Sequence, residues 1–157
     1  MATRVKHVVS AWSDIPAPPK RVYAIIADYN VGHPSILPSE FSGLVVEAGG
    51  VGAGTIIRFD MKGFGRKQTF QAAVSEPEPG RILVETDLNG GPVTTFIVDP
   101  GPAEGTSRVT FRTELDIRGG LLGKLEAFLS TRYLYPICVR ELKLLAIRAA
   151  EEPAACA

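Results

Sequence analysis

The fold is decided by the stretch from Arg108 to Ala150, RVTFRTELDIRGGLLGKLEAFLSTRYLYPICVRELKLLAIRAA. Residues 108–117 alternate apolar and polar side chains, the period of two that indicates a strand with one buried face. Gly119 and Gly120 follow, and residues 121–150 then carry apolar side chains at helical spacing. A helix of this length has to bury its apolar stripe against another element, and the strand before it indicates a sheet.

The rest of the chain predicts that sheet. Val5 to Ile15 is a first strand that ends at Pro16, and two short helices follow, over 18–28 and 33–40. Six further strands are separated by turn sequences rich in Gly, Pro and Asn, and they cover residues 44–47, 55–61, 68–74, 82–87, 93–98 and 108–117. We therefore expect an α+β protein: one domain over 1–157, with an ordered core over about 5–150, in which a bent antiparallel meander closes around the C-terminal helix.

Composition narrows the range of partners. Apolar residues make up 45% of the chain and charged residues 22%, and the 17 basic side chains equal the 17 acidic ones. No basic field is available to attract nucleic acid or an anionic membrane surface. The N-terminus has no apolar run typical of a signal peptide, and no stretch approaches the ~20 apolar residues of a membrane span. We expect a cytoplasmic protein with no nucleic-acid partner and no stable membrane insertion.

Motifs for metals and phosphates are missing from the sequence. Two histidines and two distant cysteines, Cys138 and Cys156, give neither the spacing of a metal site nor a disulfide framework. The glycine-rich run over 49–54 lacks GxGxxG spacing and leads into a strand, so it offers no helix N-terminus to a phosphate. We expect no metal and no cofactor.

Four local motifs carry a resemblance to a known superfamily. They are IPAPP at 15–19, GAGT at 52–55, EPEPGR at 76–81 and GTSRVT at 105–110. With the order of elements, they resemble the START-related helix-grip (SRPBCC) superfamily, the polyketide cyclase/dehydrase and lipid-transport group, over residues 5–150. The resemblance implies a curved seven-stranded sheet around a long C-terminal helix, with two short helices between strands 1 and 2. The superfamily includes lipid carriers, hormone receptors, polyketide cyclases, chaperone regulators and oxygenase domains, so fold alone does not fix a function.

A sheet bent around a helix leaves a gap in which apolar ligands bind. Strand parity and the helical stripe predict which side chains line that gap. These are Phe59, Met61, Phe70, Phe111, Thr113 and, from the helix, Phe128. The alternative is that the same side chains fill a solid core.

Arg132 is an anomaly on the apolar stripe of the long helix. An unpaired buried guanidinium is costly, and Pro136 one turn later predicts a kink that widens the gap. Our hypothesis is that Arg132 faces the pocket and anchors a polar ligand head. The alternatives are a structural salt bridge or an orientation toward solvent. Glu85 is a possible internal partner, although its strand carries apolar residues on both faces and solvent exposure is the favoured expectation.

His33 lies in the segment that rims the pocket in this superfamily. An imidazole there can act as acid or base near neutral pH, with Asp28 or Tyr29 as possible partners. A capping or surface histidine is the favoured alternative, because an orienting partner is not evident. We expect His7 to be structural.

Three functions follow from these residues. The first is binding or transport of a small, largely apolar ligand, lipid-like or polyketide-like. The second is a cyclase or dehydratase that uses His33, Glu85, Arg132 and Tyr133. The third is a chaperone-regulator-like interaction module, with Ile56, Ile82 and Val84 on its convex sheet; a homodimer is also possible. Binding is favoured because no catalytic constellation stands out.

Overall fold

The computed structural model describes residues 3–151 and contains seven strands, two α-helices and a 3-10 helix in that range. Cys156 lies outside the described residues. The elements, in chain order, are β1 Arg4–Ile15, α1 Pro19–Ala27, the 3-10 helix Pro34–Ile36, β2 Phe41–Ala48, β3 Ile56–Gly63, β4 Arg66–Glu78, β5 Ile82–Asp87, β6 Val93–Pro100, β7 Ser107–Arg118 and α2 Gly120–Ala150.

The strands form one antiparallel sheet in the order β1-β7-β6-β5-β4-β3-β2. Consecutive strands pair from β2 to β7, and β1 joins the sheet beside β7, with Arg4 opposite Arg118 and Ile15 opposite Ser107. The sheet curves around α2, which continues without a break through Pro136. The predicted helix-grip architecture is confirmed, and the two short helices between β1 and β2 are α1 and the 3-10 helix.

The start of α2 lies close under the end of β7 at Gly123. A Cβ atom added there would lie 1.6 Å from the carbonyl oxygen of Arg118, so only glycine allows this approach. The helix therefore leaves the last strand at a fixed, tight corner, which sets the direction in which it crosses the sheet.

The core occupies one end of the space between the sheet and α2. Val22 and Ile26 of α1 pack with the second half of α2, where Leu142 and Leu145 are buried. The first half of α2 is different, because its large apolar side chains are exposed. They include Leu121, Leu122, Leu125 and Phe128. The space between the sheet and α2 is thus filled by side chains near α1, and it is less densely packed beside the first half of α2.

Three expectations about side-chain position are wrong. Arg132 and Phe128 lie on the exposed side of α2, and Glu85 points inward from β5 with only 12% of its side chain exposed. The convex-sheet residues Ile56 and Val84 are half-buried and form no exposed apolar patch; the same holds for Ile82.

Among the described helices, none combines the length and apolarity needed to cross a membrane.

Candidate ligand-binding site

A cavity of about 480 Å³ lies between the concave face of the sheet and α2. Its wall is mainly apolar, which is the usual character of small-molecule sites. The apolar lining consists of Leu37, Phe41, Leu44, Ile57, Phe59, Met61, Phe70, Phe96, Phe111, Leu115, Leu134 and Ile137. Phe59 stacks on Phe70 with ring centroids 5.6 Å apart, and Phe96 meets Phe111 edge to face at 4.8 Å.

The strand residues predicted from parity all lie in this wall. They are Phe59, Met61, Phe70, Phe111 and Thr113, and Glu85 and His33 join them. Alternation along a strand fixes the face of each side chain, so the prediction of facing needed no knowledge of the ligand. These side chains thus border a cavity. They do not fill a solid core, which was the alternative prediction.

A row of polar side chains crosses the floor of the cavity. Glu85 on β5 lies opposite Thr94 on β6, and Thr94 lies opposite Thr113 on β7. The two threonine hydroxyl oxygens are 3.1 Å apart, within hydrogen-bond distance. The neighbouring row contains Leu83, Phe96 and Phe111, so the polar row lies beside an apolar one.

Glu85 is held at the end of this row by two side chains from the segment after α1. The Tyr29 hydroxyl donates a hydrogen bond of 2.6 Å to Glu85 Oε1, and His33 Nε2 lies 3.4 Å from the same oxygen. The Tyr29 and His33 rings stack with centroids 4.4 Å apart. Burial, and then the charge of Glu85, raises the pKa of Tyr29 well above its usual value, so its hydroxyl stays protonated as a donor.

His33 is buried, with 2% of its surface exposed, which contradicts the surface alternative. Its Nδ1 lies 2.8 Å from the carbonyl oxygen of Ile26. A carbonyl can only accept, so this contact assigns a hydrogen to Nδ1 and turns Nε2 toward Glu85. The backbone of α1 is thus the orienting partner of His33, which no sequence motif indicated.

Glu141 is the functional candidate that the sequence analysis missed. It reaches the cavity from α2, only 6% of it is exposed, and its carboxyl makes no hydrogen bond or ion pair within residues 3–151. Burial, and then the charge of Glu85, raises its pKa well above the usual value and favours the protonated acid. Its spacing offered a signal, because position 141 is three residues after Cys138 and four before Leu145, both buried.

Cys138 also lines the cavity and is free. Burial, and then the charge of Glu141, raises the pKa of its thiol to about 12. The thiolate is the nucleophilic form, so this cysteine acts as a small apolar wall group at neutral pH.

The remaining predicted residues lie elsewhere. Arg132 and Phe128 line a shallow groove on the outer side of α2, and no Glu85–Arg132 pair forms. The ring of Tyr133 contacts Phe64 at the tip of the β3–β4 hairpin, with centroids 5.2 Å apart. His7 Nε2 lies 2.8 Å from Thr131 Oγ1 of α2, and a structural role for His7 stays a prediction. Within residues 3–151, no group of three or more His, Cys, Asp or Glu side chains is arranged to hold a metal.

Comparisons with known proteins agree with this architecture. The family described as "Polyketide cyclase / dehydrase and lipid transport" matches residues 6–149. No curated protein matches the chain.

Solved structures extend the comparison. The solution structure of KanY protein is 29% identical, with a TM-score of 0.77 over 95% of this chain and 99% of that one. The protein TTHA0849 from Thermus thermophilus is 24% identical, with a TM-score of 0.70 over 90% and 96%. The ZhuI aromatase/cyclase from Streptomyces sp. R1128 is 13% identical, with a TM-score of 0.67 over 92% and 94%, and this likeness concerns the fold alone. The chain belongs to the polyketide cyclase/dehydrase and lipid-transport family, within the START-related SRPBCC superfamily.

Proposed function

We propose that this protein binds a small, largely apolar molecule, lipid-like or polyketide-like, in the cavity between the sheet and α2. One observation carries the proposal: a mainly apolar cavity of about 480 Å³ has, at its inner end, the polar side chains of His33, Glu85 and Glu141, with Glu85 held by the Tyr29 hydroxyl. Pockets of this kind gain affinity from apolar burial and orientation from a few fixed polar groups.

Apolar burial favours a ligand that covers the aromatic wall of the cavity. Removing apolar surface from water contributes about 25 cal/mol per Å², so a ligand that buries ~200 Å² of apolar surface gains roughly 5 kcal/mol before the entropic cost of binding. The polar row should add less to affinity than the apolar wall does, because Glu85 already accepts a hydrogen bond from Tyr29. Its main effect is on the orientation of the ligand. Its groups fix which end of the ligand enters first.

The test is native mass spectrometry of the purified protein, followed by solvent extraction and identification of what is bound. We expect a stoichiometric small molecule, or, in an emptied protein, saturable uptake of the neutral apolar dye Nile red. Phe111→Arg should abolish uptake because it replaces a ring of the apolar wall with a long charged side chain. Arg132→Ala, on the outer side of α2, is the control and should leave uptake unchanged. A well-folded protein that is empty and rejects the dye contradicts the proposal.

A second candidate function is dehydration of a β-hydroxy ketone. It is favoured by the two carboxyl groups in different environments, Glu85 held by Tyr29 and His33, and Glu141 buried without a partner. The Glu85 carboxylate takes the proton from the carbon between the carbonyl and the hydroxyl-bearing carbon. Glu141 gives its proton to the leaving hydroxyl, and the carbon–oxygen bond breaks to release water and an enone. Glu85 ends protonated and Glu141 ends ionised, so one proton returns from Glu85 to Glu141 before the next turnover, and no oxidant is needed.

Turnover of 4-hydroxy-4-(2-naphthyl)butan-2-one tests this second function. Mass spectrometry should detect loss of one water from the probe, and both Glu85→Gln and Glu141→Gln should suppress it. Loss of water no faster than in buffer contradicts an enzymatic role toward this class, while leaving the binding proposal to its own test.

A further inference from the structure

The charge pattern of the cavity lining is one-sided. Four carboxyl groups, Asp116, Glu126, Glu85 and Glu141, line the cavity, and no lysine or arginine of residues 3–151 does. A buried carboxylate ligand needs a cation or several donors around it. The lining therefore has the wrong sign for the fatty-acid anions that many lipid-binding cavities hold.

The two outer carboxylates are already neutralised by cations outside the cavity. Lys6 Nζ lies 2.9 Å from Asp116, and Arg118 Nε lies 3.6 Å from Glu126. Both ion pairs are partly exposed. A cation that turned toward the cavity would leave its own carboxylate without its partner. The outer end thus offers an incoming ligand no excess positive charge.

The inner end has one polar group without a protein partner. Glu85 receives the Tyr29 hydroxyl and faces His33, and His33 also contacts the Ile26 carbonyl. Glu141 alone lines the cavity with its carboxyl unpaired within residues 3–151. A buried polar group normally has a hydrogen-bond partner, so an unpaired carboxyl at a cavity wall points to a partner supplied by the ligand.

We infer that the cavity accepts a neutral ligand whose carbonyl or ether oxygen receives a hydrogen bond from the Glu141 acid, and that it rejects the carboxylate of the same shape. This inference rests on the proposed binding function and names its ligand class. Glu141 is the specificity-determining residue, because it is the group that meets the ligand's polar atom. Glu85 adds a second carboxyl group at the inner end, and Tyr29 holds Glu85 in place.

Isosteric naphthalenes test the ligand class on the wild-type protein. The probes are 2-acetylnaphthalene, a neutral ketone; 2-naphthoate, an anion of nearly the same shape; and 2-ethylnaphthalene, which has no acceptor. Displacement of Nile red at pH 7 gives the three affinities. We expect the ketone to bind at least tenfold more tightly than the anion and several-fold more tightly than the ethyl compound.

Variants at Glu141 assign the effect to this residue. Glu141→Gln keeps a donor at the site and should retain the preference for the ketone over 2-ethylnaphthalene. Glu141→Leu removes the donor and should bring the two affinities together, while 2-ethylnaphthalene binds at least as well as before. Circular dichroism checks that both variants are folded, and the wild-type comparison of ketone with anion stands even where a variant is not.

Each other outcome overturns the inference. Binding of 2-naphthoate as tight as that of the ketone, or tighter, contradicts the exclusion of anions. A fourth probe, 1-(2-naphthyl)ethylamine, is a cation at pH 7. If it binds more tightly than the ketone, Glu141 is ionised and the inference is wrong. Failure of 2-ethylnaphthalene and of the dye to bind at all contradicts the binding function itself. Binding of all the naphthalenes with one affinity leaves the binding function standing and removes Glu141 as the selector.

Discussion

At the scale of single residues, Glu141 is a buried acid whose pKa lies well above its usual value because of burial. An acid whose pKa rises on folding binds more protons in the native state than in the unfolded state. Its contribution to stability is therefore full below the unfolded value of about 4.5 and is lost as the pH rises toward the higher folded pKa. Glu85, His33, Tyr29 and Cys138 face the same cavity region and remain in a Gln variant.

We expect the wild type to lose stability relative to Glu141→Gln as the pH increases from 5 to 8. The difference between their free energies of unfolding should change by up to about 1.4 kcal/mol per pH unit, the slope for one proton. Urea unfolding of both proteins across this range measures the difference. Parallel pH profiles would show that Glu141 titrates as it does in the unfolded chain.

Tyr29 and Tyr23 form a natural pair for testing the polar end of the cavity. Each donates a hydrogen bond of 2.6 Å to a glutamate, Tyr29 to Glu85 at the cavity and Tyr23 to Glu76 outside its lining. Tyr29→Phe should destabilise the protein by about 1–3 kcal/mol, because a buried acceptor loses its donor. It should also weaken binding of the ketone probe several-fold, since Glu85 is no longer held in place.

Tyr23→Phe is the control, because it removes a hydrogen bond of the same length at a different glutamate. Its effect should be confined to stability, and its affinity for the ketone should equal that of the wild type. Chemical denaturation and dye displacement give both quantities for both variants. A loss of affinity in both variants would indicate that general destabilisation, and not the position of Glu85, controls binding.

At the scale of elements, the corner between β7 and α2 depends on one missing side chain. Gly123→Ala places a Cβ atom against the Arg118 carbonyl, and the start of α2 must move away from the sheet. Overpacking of this kind costs about 1–3 kcal/mol, although alanine is otherwise the better helix former. Lys124→Ala, on the exposed neighbouring position, should change stability by less than about 0.5 kcal/mol. Thermal unfolding compares them, and a more stable Gly123→Ala protein would contradict the tight corner.

The same helix explains why one predicted anchor was misplaced. Arg132 lies seven residues after Leu125 and three after Leu129, so helical spacing places all three on one face. That face is exposed, with Leu125 at 55% and Leu129 at 40%, so Arg132 is exposed with it. Periodicity tells which residues share a face of a helix, but not whether the sheet reaches far enough to cover that face.

At the scale of the whole molecule, the strands were predictable because most of them have one polar and one apolar face. On β7 the period of two gave the inward positions of Phe111 and Thr113 directly. On β5 it did not, since Ile82 and Val84 are apolar and half-buried on the face opposite Glu85. The inward orientation of Glu85 follows from pairing with Thr94 and from Tyr29, contacts between residues far apart in sequence that no local pattern contains.

The cavity itself leads to a prediction about the whole domain. A ligand that binds only the native state at one hundred times its dissociation constant stabilises that state by about 2.7 kcal/mol. Cys138→Phe adds a ring at the cavity wall, so it should abolish this ligand-dependent rise in thermal stability. The ring enters space that is already present in the cavity. Without ligand, Cys138→Phe should therefore lose at most about 1 kcal/mol of stability relative to the wild type.

Cys138→Ala removes the thiol without filling the cavity and should keep the ligand-dependent rise. Differential scanning calorimetry with and without 2-acetylnaphthalene measures all three proteins. If Cys138→Phe still gains stability from the ketone, the ligand binds at another surface, and the space between the sheet and α2 is not the binding site.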